Sequence, residues 1–145
     1  MRNDFFAIVQ FEDVRSHQGL PPLSAGGEWR GFSRADGRVE CRWHNSSWSS
    51  AHEDARFFVL VVGRARWAGA ATNKSSYDPQ VATRLAAAYL QSGEDCFSQV
   101  RGSYAITIVD FAERRVVLAT DRMGSVPVIY SADPSEIRFG SQVLE

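Results

Sequence analysis

Only a few side chains in this sequence could do chemistry, and most have a structural reading close at hand. Cys41 and Cys96 are the two thiols. They lack CxxC spacing and read as small buried hydrophobes rather than nucleophiles or ligands. His17, His44 and His52 are too scattered for a metal motif and read as loop or strand residues. Asp78 precedes Pro79, the order of a side-chain cap and a first helical residue. Asp121 could accept backbone N–H bonds within the Met123 to Val126 turn or pair with Arg122. Arg64 and Arg66 with Trp67 follow a long apolar run and form a basic, aromatic set. That set suits an acidic or peptide-like partner, with solvated arginines as the alternative. Trp29, Trp43, Trp48 and Trp67 lie near expected strand ends, where a tryptophan either fills the core or anchors a partner.

The elements that must position these residues follow from hydrophobic pattern and turn chemistry. Phe5 to Phe11 is a compact apolar run between polar flanks and predicts a central strand. His17 to Gly27, with its Gly and Pro content, predicts a long loop. Trp29 to Ser33 and Arg38 to Trp43 flank Ala35, Asp36 and Gly37, a hairpin signal. A polar stretch from Asn45 to Asp54 separates them from Arg56 to Val62, which is apolar enough to be a strand buried on both faces. A helix is predicted over 79–92 from Asp78, Pro79, the spacing of Val81, Leu85, Ala88 and Tyr89, and a left-handed cap at Gly93. Cys96, Phe97 and Val100 suggest a short second helix. Tyr104 to Asp110 reads as another doubly buried strand, and Arg115 to Thr120, Val128 to Ser131 and Glu136 to Ser141 as the rest of a meander.

Composition narrows the function classes. The chain has 145 residues, 44% of them hydrophobic, enough for one domain spanning 1–145 with its own core. A formal charge of -1, from 16 basic and 17 acidic side chains, gives no general attraction to nucleic acid or acidic lipid. No apolar run reaches the ~20 residues of a membrane span, and nothing at the start reads as a signal peptide. With two cysteines, the expectation is a reduced, soluble, cytoplasmic protein with neither nucleic acid nor membrane as partner. Many strands, several too apolar for a one-sided sheet, with a capped helix, imply an α+β fold of packed antiparallel sheets.

The ordered set Gly102, Ala105, Asp110, Asp121, Arg122, Gly124, Pro127, Tyr130, Phe139, Gly140, Ser141 and Gln142 resembles the glutaminase domain of class II glutamine amidotransferases. This is the N-terminal nucleophile type found in asparagine synthetases and their relatives. The likeness runs from the Asp78 helix to the end of the chain and is weak before it. It implies a four-layer αββα sandwich, Ntn-hydrolase-like, in which Gly102, Asp110, Asp121, Arg122, Gly124, Pro127, Tyr130 and Ser141 serve the scaffold.

The chemistry of that family makes three demands. Its nucleophile is a Cys, Ser or Thr whose own free amino group acts as base. This sequence opens Met1, Arg2, Asn3, Asp4, so no catalytic residue is assigned, and Cys41 and Cys96 would serve only after a cleavage. The family's oxyanion hole uses an Asn-Gly pair at the end of the strand that here holds Val62 and Gly63; the glycine N–H remains and the side-chain amide is absent. Its glutamine site uses an Arg after an early strand and an Asp near the main helix. Asp78 aligns with that Asp, the companion Glu is Gln80, and Arg42 is a loose candidate for the Arg. Gly63 and Asp78 are therefore read as vestigial substrate contacts, with helix capping favoured for Asp78. The Arg64, Arg66 and Trp67 set falls where the family has its glutamine-binding turn and is read as partner-binding.

The resemblance then implies a degenerate, non-catalytic glutaminase-like domain. Its expected partner is an asparagine-synthetase-like domain or subunit, which lies outside this chain and uses ATP and Mg2+; this chain itself is expected to need no cofactor and no metal. Lasso-peptide cyclases, which close a macrolactam with an amine already on the substrate, are the relatives for which lost glutaminase chemistry would not matter. A peptide substrate is a further candidate partner. The competing reading is an active glutaminase that supplies ammonia from glutamine to asparagine synthetase-type amidation.

Overall fold

The computed structural model describes residues 4–10, 29–34, 39–44, 48–69 and 78–141. The expected loop over 17–27, the hairpin turn at 35–37, Arg2, His17 and Gln142 lie outside them. The chain divides into two compact units, Met1–Ser46 with Pro127–Glu145, and Ser47–Val126. Two antiparallel sheets and, among the described residues, one α-helix make the fold α+β, as expected. No helix among the described residues is long and apolar enough to cross a membrane.

The first unit holds β1 (Phe5–Gln10), β2 (Trp29–Arg34), β3 (Val39–His44), β8 (Ile129–Ala132) and β9 (Glu136–Gly140), in the order β2-β3-β1-β9-β8. β1 is central, as its unbroken apolar run predicts, and pairs Ala7 with Cys41 on one side and with Phe139 on the other. β2 and β3 form the expected antiparallel pair, Phe32 facing Cys41. β1 and β9 approach closely at Phe6 and Gly140, where a Cβ on Gly140 would lie 2.6 Å from the Phe5 carbonyl oxygen. Ser141 closes this end: its N–H donates to the Phe5 carbonyl, 3.0 Å, and its Oγ accepts the Phe5 N–H, 3.1 Å.

The second unit holds β4 (Ser49–Glu53), β5 (Phe57–Trp67), β6 (Val100–Asp110) and β7 (Arg115–Thr120) in chain order. One face of β5 and β6, including Val59, Val61, Ile106 and Ile108, packs on Val81, Leu85 and Tyr89 of α1 (Val81–Ser92). The alternate residues Phe58, Leu60, Ala105 and Val109 are buried too, as two apolar sets per strand require. At the β6 end, Asp110 Oδ1 accepts the N–H groups of Ala112 and Glu113 and so shapes the turn into β7.

Several expectations need correction. The polar stretch before β5 contains β4, an edge strand of small and polar side chains that carry no apolar alternation. Val100 opens β6, while Cys96 and Phe97 lie on the 3-10 helix Gly93–Gln99. The final strands are not one meander: β7 belongs to the second sheet and β8 to the first, with the Asp121 turn and Pro127 between them. The helix begins at Val81 with Gln80 as its flanking residue. Asp78 bonds the Gln80 N–H at 2.9 Å, whereas the Ala82 N–H is taken by Ser50 Oγ of β4 at 3.2 Å. Gly93 ends the helix with φ +62°, but its ψ of −140° lies outside the left-handed helical region expected of it.

Candidate functional site

β5 and β6 form an eleven-pair ladder from Phe57↔Asp110 to Trp67↔Val100. β4 covers β5 only from Phe58 to Val62, and β7 covers β6 only from Ala105 to Asp110. Beyond those limits the pair continues as a two-stranded ribbon carrying Gly63 to Trp67 and Val100 to Tyr104. Arg64, Arg66 and Trp67 thus lie in a strand ladder. The turn expected for them is absent, because each pairs with a residue of β6.

Backbone conformation sets the ribbon apart. Gly63 has φ +110° and Gly102 φ +108°, on facing strands to either side of the Arg64↔Ser103 pair. A Cβ on Gly63 would collide with the Ser103 carbonyl, and one on Gly102 with the Arg64 carbonyl. Only glycine combines those angles with that approach. Gly63, read from sequence as a vestigial site residue, and Gly102, read as scaffold, are two halves of one device.

The position expected to hold the oxyanion is closed. Val62 is buried in the ladder and offers no side-chain donor. The Gly63 N–H donates to the Trp48 carbonyl at 2.8 Å, one step past the β4 pairing of Ser49 with Val62. Asp78 sits along the same edge of β5, its N–H on the Ala65 carbonyl at 2.9 Å. Its carboxylate is buried and turned to the helix, with Oδ1 on the Gln80 N–H and Oδ2 facing Arg84 Nε at 3.3 Å. The structure therefore brings Gly63 and Asp78 to one strand edge, the Gly63 N–H and Asp78 Oδ1 hydrogen-bonded inside the protein and the buried Asp78 Oδ2 left with the Arg84 ion pair and no hydrogen bond.

The remaining candidates are placed as follows. Arg42 is in β3, ion-paired at 2.7 Å with Glu40 of the same strand. Cys41 is buried in that strand, and burial pushes its thiol well above the ordinary range. Cys96 is buried on the 3-10 helix, and burial pushes its thiol up to about 11. Both are therefore neutral thiols, the weaker form as nucleophiles. His52 meets Asp54 at 2.7 Å, and the His44 ring stacks edge-on to Trp29. Trp67 packs against the helix side of the second unit, the opposite face from exposed Arg64 and Arg66. The aromatic beside the arginines is instead Trp48, with the Arg64 guanidinium 4.5 Å from its ring centroid. Sequence reasoning missed this contact because Trp48 is sixteen residues from Arg64 in a stretch without strand signal.

The Asp121 turn contrasts with this edge. Oδ2 accepts the Tyr104 N–H at 2.9 Å, Oδ1 the Met123 N–H at 2.9 Å, and Ser125 donates both its N–H and its hydroxyl. Burial alone would raise the Asp121 pKa, but these bonds outweigh it and hold the carboxyl below the usual range. Of the two partners expected, the backbone of the turn is the one used. Gly124 takes φ +63° there, as a turn of unusual angles requires. Asp121 also stops the sheet: its N–H donates to the Tyr104 carbonyl while its side chain takes the Tyr104 N–H, completing a strand pairing where β7 ends. Asp110, the other acidic scaffold residue, is buried and ion-paired with Arg56 at 3.3 Å. Tyr130, by contrast, is largely exposed on β8.

A family model described as a glutamine amidotransferase domain matches residues 64–144, more than half of the chain. The chain belongs to that family. No curated protein matches it.

Proposed function

We propose that this chain is a non-catalytic glutamine amidotransferase domain that docks to, and stabilises, an ATP-dependent amide-forming enzyme of the asparagine synthetase type. A lasso-peptide macrolactam synthetase is the specific candidate. The observation that carries the reading is the closed edge of β5: Val62 lacks an amide donor, and the Gly63 N–H is spent on the Trp48 carbonyl. Losing one such donor typically costs about 100-fold to 1000-fold in rate. Cys41 and Cys96 add no activated nucleophile, since each is buried and held protonated. ATP and Mg2+ would belong to the partner, and the amine for amide formation would come with its substrate.

Two measurements test the reading. The purified protein incubated with glutamine should release no glutamate above a buffer blank, and release would restore the active-glutaminase reading. A synthetase-type enzyme encoded beside it, co-expressed with a tag on this chain, should be recovered with it and melt at a higher temperature in its presence. No association and no thermal shift would sink the docking role.

A further inference from the structure

The ribbon beyond β4 and β7 concentrates positive charge on one face. Arg66 and Arg101 stand directly opposite each other in the ladder, and Arg64 lies two residues along the same strand; all three are exposed. Facing Cβ atoms in such a pair are about 5 Å apart, and like charges so placed are unfavourable. Among the described residues none of the three has a carboxylate within ion-pair distance. General basicity is not the cause, because the whole chain carries -1. Their placement leaves donors free. Trp48 supports the flat face of Arg64, so the in-plane N–H groups stay open. Arg101 is anchored through one nitrogen, Nη1, on the Ser98 and Val100 carbonyls, leaving the rest of its fork.

We propose that this guanidinium face docks a carboxylate-rich extended segment of a protein partner. Each guanidinium can grip a carboxylate bidentately, and a bound carboxylate between Arg66 and Arg101 would turn their repulsion into a shared attraction. Arg64 and Arg66 repeat at about 7 Å, the spacing of alternate side chains in an extended chain, which favours acidic residues separated by one neutral residue. A polyphosphate chain is the poorer match, since its affinity grows with the number of phosphates neutralised and this face offers three cations. The proposal gives the docking role suggested above a surface and a chemistry, and rests on it only for the partner being a protein.

The test uses the full chain and fluorescein-labelled peptides of alternating glutamate and glycine, with a glutamine-for-glutamate control and a single-stranded oligonucleotide of equal length. By fluorescence anisotropy at low salt the glutamate peptide should bind, weaken steeply as salt is raised, and lose at least tenfold in affinity with Arg66→Glu or Arg101→Glu. The glutamine peptide should not bind. Arg66→Gln should weaken binding without lowering the melting temperature, because it removes a like-charge neighbour. Equal binding of the glutamine peptide, tighter binding of the oligonucleotide, or indifference to all three substitutions would overturn the proposal. Glutamate release from glutamine would defeat the non-catalytic reading and leave this surface standing, whereas loss of peptide binding would do the reverse.

Discussion

The turn at Asp121 and the edge of β5 at Gly63 lie against adjacent strands of one sheet, yet they treat their backbone donors in opposite ways. At Asp121 a single carboxylate collects the N–H groups of Tyr104, Met123 and Ser125, so the ladder ends without an orphan donor. At Gly63 the N–H that matches the remaining donor of the family's Asn-Gly pair is handed to the Trp48 carbonyl. The first place serves folding, and the family pattern through it is intact. The second has kept its glycine while the neighbouring donor position is aliphatic. Gly63 survives because of φ +110° and the close Ser103 carbonyl, a folding reason that holds whether or not chemistry does. A family motif can thus be held in place by its geometry alone, independently of the reaction it frames elsewhere in the family.

That contrast can be broken by substitution, beginning with the largest effect. Gly63→Ala should cost about 3 kcal/mol of stability through forced positive φ and collision with the Ser103 carbonyl. Gly69→Ala, at φ +77° with nothing within 4 Å, should cost about 1 kcal/mol. Urea titration of both variants measures the difference, and equal costs would remove the folding explanation for Gly63. Asp121→Ala strands buried N–H groups and should cost about 2 kcal/mol by the same titration. Ser50→Ala removes the acceptor for the Ala82 N–H and should cost about 1 kcal/mol, seen as a lower midpoint with unchanged slope.

Acid gives the smallest and most selective probe. The Asp121 pKa is depressed in the folded state, so its stabilisation is fully present above the unfolded value of about 4. It is lost as pH falls through the lower folded value. Stability should therefore drop below about pH 4, with a shallower drop in Asp121→Asn. Identical pH profiles for the two proteins would show that the Asp121 bonds do not favour its ionised form.

Much of this molecule could be read before its structure, and the gaps have physical causes. β1, the β2–β3 pair, the apolar part of β5 and the helix announce themselves through their hydrophobic pattern, although neither helix cap takes the form the sequence suggests. β4 does not, because Ser49, Ala51 and Glu53 alternate with Ser50 and His52 without an apolar face. The ribbon was hidden because Gly63, Arg64 and Gly102 have the composition of turns, and glycine in a strand signals a break unless two of them face each other's backbones. The cap at Ser50 and the stacking of Trp48 on Arg64 join residues far apart in the chain, which no local pattern encodes. For the site, the aliphatic Val62 was readable from the resemblance. The commitment of the Gly63 N–H was not, since it depends on the unseen β4.

Whether the domain is catalytic is decided by incubating the protein with glutamine labelled with 15N at the side-chain amide and following ammonia release over many hours, with Val62→Asn alongside. No labelled ammonia above the buffer blank is expected from either protein, because the asparagine would face a Gly63 N–H already bonded to Trp48. Sustained release by the unaltered protein would contradict the non-catalytic reading.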